Sequence, residues 1–107
     1  MKATMSMDGA TDATEKVSST NTAQLLITAL AASLDPGRSI QGALVTVETN
    51  DIRFAFGVAP TTAGMGHILT AGQSIMLRGG QSVRKFQFVS KTADSAGVVH
   101  ITVYYEA

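Results

Sequence analysis

From Ile40 onward apolar and polar residues alternate with a period of two, the spacing of a strand that buries one face. In Ala43-Leu44-Val45-Thr46-Val47 the odd positions form the apolar series. In Ile52-Arg53-Phe54-Ala55-Phe56-Gly57-Val58 the even positions form it, and Arg53 points the other way. Ile75 and Leu77, Phe86 and Phe88, then Val99, Ile101, Val103 and Tyr105 continue the pattern, so five strands are expected between residues 40 and 105. Turn residues fall between them: Asn50-Asp51, the Gly/Thr loop from Pro60 to Gly66, Gly79-Gly80 as a tight hairpin, and Asp94 to Gly97. The expected core rests on Phe54, Phe56, Phe86, Phe88, Ile101 and Val103.

Ahead of these strands the pattern is mixed. Leu26, Leu30 and Leu34 recur at helical spacing, whereas Leu25, Ile27 and Ala29 alternate like a strand, so residues 23–34 fit either state. The reading adopted is a first strand over Val17–Leu26 and a helical turn over Thr28–Leu34, ended by Asp35-Pro36-Gly37 because proline disfavours helix at the residue before it. Residues 1–22, rich in Ser, Thr and Ala, read as an extended N-terminal arm with the first strand starting near 17. Residues 23–107 then form a single β domain. Gly72-Gln73-Ser74-Ile75 is echoed by Gly80-Gln81-Ser82-Val83, as though the start of a strand were repeated across a hairpin. Short strands separated by turns predict an all-β fold, an antiparallel β-sandwich or jelly-roll-like barrel.

Composition narrows the function classes. At 107 residues the chain holds one domain, and 45% hydrophobic against 15% charged residues is enough apolar surface for one modest core. Eight basic and eight acidic side chains cancel, so the electrostatic drive toward nucleic acid or an anionic membrane is missing and neither is an expected partner. Without cysteine there is no disulfide scaffold, thiolate zinc site or thiol nucleophile. The N-terminus has no apolar stretch behind Lys2, which points to cytoplasmic synthesis, and Ala23–Leu34 is too short and too interrupted to span a bilayer.

No catalytic, cofactor or metal residues are expected. His67 and His100 lack a sequence partner, and a His-x-His pair of the kind a β-barrel metal site uses is absent. Gly-x-Ser-x-Gly is missing, and Leu69 stands where a dinucleotide fingerprint beginning at Gly64-Met65-Gly66 needs its third glycine. Glu48, Asp51, Asp94 and Glu106 sit at strand ends and turns, where solvated carboxylates are ordinary. Glycan binding would need exposed aromatic rings; there is no tryptophan, and every Phe lies on the core parity. An apolar surplus on the outward parity remains, Leu44, Met76, Val98 and Tyr104, which marks either the cover of a second sheet or a subunit interface.

The stretch Gly42-Ala43-Leu44-Val45-Thr46-Val47-Glu48-Thr49, with Ile52-Arg53-Phe54-Ala55-Phe56-Gly57, Pro60-Thr61, Gly66-His67-Ile68-Leu69, Ala71-Gly72-Gln73-Ser74-Ile75 and Val83-Arg84-Lys85-Phe86-Gln87-Phe88-Val89, resembles small β-rich structural proteins of tailed-bacteriophage virions. The resemblance covers roughly residues 17–105 and rests on turn and core positions. It implies a non-enzymatic virion protein made in the host cytoplasm, first of all a capsid cement or decoration protein bound to the major capsid protein. A head–tail connector, neck or tail-associated protein is the second implication. A homo-oligomer, dimer or trimer, goes with either, and the arm would lie over the shell. A carbohydrate-binding module requires Tyr104 or Tyr105 exposed in a groove. A small hydrolase requires His67 or His100 beside a carboxylate and a serine.

Overall fold

In the computed structural model, which describes residues 13–31, 34–35 and 37–106, the longest alternating stretch is also the longest strand. In chain order the elements are β1 (Ala13–Ser18), β2 (Gln24–Leu25), α1 (Leu26–Ala29), β3 (Ile40–Thr49), β4 (Ile52–Phe56), β5 (His67–Leu69), β6 (Ser74–Arg78), α2 (Gly80–Lys85), β7 (Phe86–Ser90) and β8 (Val98–Tyr105). The chain is mostly β, with two antiparallel four-stranded sheets ordered β1-β8-β3-β6 and β2-β7-β4-β5.

The pairing follows one rule. β4 pairs with β5, β3 with β6, β2 with β7 and β1 with β8, so the chain is a long hairpin whose successive rungs alternate between the sheets. The β3–β8 and β4–β7 ladders then join those rungs edge to edge. Alternation does the rest: Ala43, Val45, Val47, Leu77, Val99, Ile101 and Val103 of the first sheet meet Ile52, Phe54, Leu69, Phe86 and Phe88 of the second in one buried cluster. Leu26 and Leu30, at and just after α1, Val83 of α2 and Tyr105 of β8 complete it.

Several expectations are corrected. The segment assigned to one strand over Val17–Leu26 is two strands in different sheets: residues 13–18 pair with β8, and only Gln24–Leu25 pair with β7. The part of the expected arm from Ala13 to Ser18 is therefore an edge strand, while residues 1–12 lie outside the described residues. The helical turn starts earlier than Thr28, at Leu26, where helical spacing buries Leu26 and Leu30 together. His67–Leu69 is a strand beyond the five expected.

Gly79-Gly80 is no hairpin. β6 and β7 belong to different sheets, and the chain crosses between them through α2, with Gly79 at φ +87° starting the helix. Gln81-Ser82-Val83 is thus helical, and its echo at Gln73-Ser74-Ile75 leads into a strand; the repeated letters mark no repeated structure. Phe56 leaves the core. It is the last residue of β4 and is 43% exposed, although Ile52 and Phe54 on the same parity are buried.

These positions predict a contrast. Phe88→Ala should cost about 3–5 kcal/mol, the range for emptying a packed aromatic site, whereas Phe56→Ala should cost about 1 kcal/mol or less. Denaturant midpoints of the two variants, measured against the parent at equal m-value, give both numbers.

Candidate functional site

The outward positions singled out from the sequence do not form one exposed patch. Leu44 stands opposite Met76 on the outer face of the first sheet and both are half-buried. Val98 is half-buried at the start of β8. Tyr104, paired with Gly42, is buried at 4% exposure. Tyr105 is buried on the core side. Its hydroxyl accepts the Asp35 N–H at 2.9 Å, and the Arg38 guanidinium lies 4.9 Å from its ring centre. Neither tyrosine offers the exposed ring a glycan platform needs.

Exposed apolar surface gathers elsewhere, where β4 runs out of its sheet. Phe56, Val58, Met65 and Ile68 are the exposed large hydrophobics among the described residues. Phe56 caps an aromatic stack: its ring meets Phe54 edge-on at 6.0 Å and Phe86 at 5.7 Å, and Phe54 stacks on Phe86 at 5.3 Å. The His67 ring, 5.5 Å from Phe54, flanks the same mouth. An open depression of ≈ 440 Å³ is lined by Ala55, Phe56, Val58, Met65, Gly66 and His67.

The loop that presents Met65 is locally specified. The Thr61 hydroxyl accepts the N–H groups of Gly64 at 3.2 Å and Met65 at 3.0 Å, while the Thr61 N–H donates to the Met65 carbonyl at 2.9 Å. Gly66 then sits at φ +116°, and a Cβ there would stand 2.9 Å from both the Phe54 carbonyl oxygen and Pro60 Cβ. Only glycine satisfies both the angle and the space.

One polar constellation was invisible in sequence. His100 of β8 reaches Glu48 of β3, its Nε2 2.5 Å from the carboxylate, on the outer face of the first sheet. The ladders explain the meeting: His100 pairs across to Thr46 and to Lys16, which places Glu48 one diagonal step away. The hydrogen bond from His100 is the main influence and holds the Glu48 carboxyl below the usual glutamate range; desolvation opposes it, and the charges of His100 and then Lys16 add smaller lowering effects. Beside this row Thr46 and Ser74 hydroxyls bond each other at 2.7 Å. The His100 imidazole is hydrogen-bonded to Glu48, and among the described residues no hydrogen bond joins it to Ser74. Among the described residues no three His, Asp or Glu side chains converge on a point that would hold a metal ion.

The Glu48–His100 pair has a definite pH signature. A carboxyl whose folded value is lowered stabilises the fold above its unfolded value, and that stabilisation is lost as pH falls through the lowered value. Glu48→Gln should therefore melt slightly below the parent at neutral pH, by a small margin because the pair is exposed, and the two should converge on acidification through and below the glutamate range. Thermal melts of both proteins over a pH series measure it.

Compared with known proteins, the chain matches no family model, no curated protein and no solved structure.

Proposed function

We propose that the chain is a non-enzymatic virion structural protein, a cement or decoration protein that binds the major capsid protein of a tailed-phage shell, and that its fold is a jelly-roll sandwich. The observation that carries this reading is the strand order. Pairing first with last, second with seventh, third with sixth and fourth with fifth is what results when a long hairpin is rolled so that its arms alternate between two sheets. Jelly rolls of this kind recur in viral capsid, lectin and cupin proteins, so the surface has to choose among them. Buried Tyr104 and Tyr105 argue against a lectin, and the unclustered histidines against a cupin-type metal enzyme. An uncharged apolar mouth formed by Phe56, Val58 and Met65 suits docking on another protein.

The neck or tail role is the second reading, and the cancelling charges fit it equally well. Co-sedimentation with undecorated capsids, and separately with isolated necks and tails, tells them apart. Full-length protein should pellet with capsids, and Val58→Lys should weaken that binding by about tenfold or more while leaving thermal melts near the parent's. Removing residues 1–12, which leaves β1 whole, tests the arm on the same particles. Binding to necks or tails alone would transfer the role to the second reading, and binding to neither would refute the virion assignment.

A further inference from the structure

One side of the two-sheet body is built from β5 and β6, which follow each other through the Thr70–Gln73 turn and form the outer strands of their respective sheets. The backbone of β6 is half used. The Gly79 N–H donates to the Gln41 carbonyl at 2.8 Å, and the Val47 N–H to the Gln73 carbonyl at 3.0 Å. With the constant register between them, Ala43–Leu77 and Val45–Ile75 are the hydrogen-bonded pairs of the β3–β6 ladder. Ser74, Met76 and Arg78 therefore turn their N–H and C=O groups away from β3, where no partner meets them among the described residues.

Edges left in this state are ordinarily blunted by charge, proline or extreme shortness. The opposite edge follows that rule: β1 carries Glu15 and Lys16, and β2 is two residues long. The β6 edge does not. From Phe54 to Leu77 the chain contains no Asp, Glu, Lys or Arg, and every exposed large hydrophobic named above lies within that stretch. Arg78 is the one charge on the strand.

We infer that β6 pairs antiparallel with β6 of a second copy of this chain across a two-fold axis at Met76, joining the two β1-β8-β3-β6 sheets into one continuous sheet. The strand is self-complementary in this register. Met76 faces Met76 of the other copy as a hydrogen-bonded pair, and Ser74 faces Arg78, so the only charge meets a neutral hydroxyl and never its own kind. On the outer face the half-buried Leu44–Met76 pair becomes a row crossing the axis. On the inner side Ile75, half-buried at the open edge, gains the other copy's Leu77 as its neighbour. A second copy is favoured over an unrelated strand because the free groups, the parity and the charge all match under one two-fold operation. The inference does not depend on the virion reading, and either can fail alone.

Sedimentation velocity on the full chain tests it. The parent should be a dimer at about 50 μM. Met76→Lys and Met76→Glu should each be monomeric with melts close to the parent's, because like charges then face each other across the axis, and an equimolar mixture of the two should dimerise again. Val58→Lys, on the mouth used for docking, should leave the dimer intact. A second measurement needs no variant: amide exchange at Met76 and Arg78 should slow with rising protein concentration while Met65 stays unchanged. A parent that is monomeric at about 200 μM, a dimer that survives both Met76 substitutions, a mixture that stays monomeric, or a dimer broken by Val58→Lys would each overturn the inference.

Discussion

The β3–β8 ladder is the constraint on which the rest of this fold depends. It joins Gly42–Val47 to Val99–Tyr104, segments separated by about half the chain, and it is straight only between two register shifts at Ile40/Gly42 and Val47/Thr49. Without it the first sheet would be two unrelated pairs, β1 with β8 and β3 with β6. With it, Val45 and Ile101 lie side by side at the centre of the sheet and the opposing aromatics have a floor to pack on. Closing so long a loop carries an entropic cost, and the length of the ladder that closes it is what offsets that cost.

Wrapping a hairpin between two sheets forces the chain to leave one ladder and join another, and backbone groups at each crossing need partners. The crossing from β1 to β2 meets this with serine. Ser19 and Ser90, both buried, bond each other through their hydroxyls at 2.7 Å; Ser19 Oγ also accepts the Gly97 N–H at 2.7 Å, and the Ser19 N–H donates to the Gly97 carbonyl at 2.8 Å. Gly97 reads as a turn residue in sequence. Its place is tighter than that, since a Cβ would come within 2.7 Å of Ile52 Cγ2. The crossing from β6 to β7 uses α2 instead, which buries Val83 and leaves Arg84 and Lys85 in its last turn, where positive charge is favourable.

What the sequence made legible was the interior of long strands. Val45, Val47, Ile101 and Val103 are buried as their alternation requires, because a central strand has neighbours on both sides and a sheet above it. Strand ends were not legible. Phe56 has the same parity as Phe54, yet parity gives a direction and says nothing of whether another residue waits there. Tyr104 and Tyr105 are both buried although they point to opposite faces, which no single-face pattern expresses. Six residues of α2 hold one buried apolar residue, too few for a helical period to show, so glycines at 79 and 80 suggested a hairpin. The pairing of His100 with Glu48 needed the register itself, which exists only after β3 and β8 have met.

Charge is distributed as unevenly as the apolar surface. Lys16, Glu48 and His100 share the outer face of the first sheet around β1, β8 and β3, while Arg78 is the one Asp, Glu, Lys or Arg on β5 and β6 themselves, with the Asp51 carboxylate and the Arg53 guanidinium bonded beside them to Ala71 and Gly66. A net charge of zero thus conceals a more charged side and a barer one. Long-range steering has little to act on at the barer side, so association there depends on shape, hydrogen-bond register and apolar contact, all of short range. Raising salt should then leave contacts on the β5–β6 side nearly untouched, and it should weaken the Glu48–His100–Lys16 row, whose charges are exposed to the solvent ions. The two sides of one small domain thus present different forces: charge on the first, and on the second apolar surface beside a strand edge that is unpaired among the described residues.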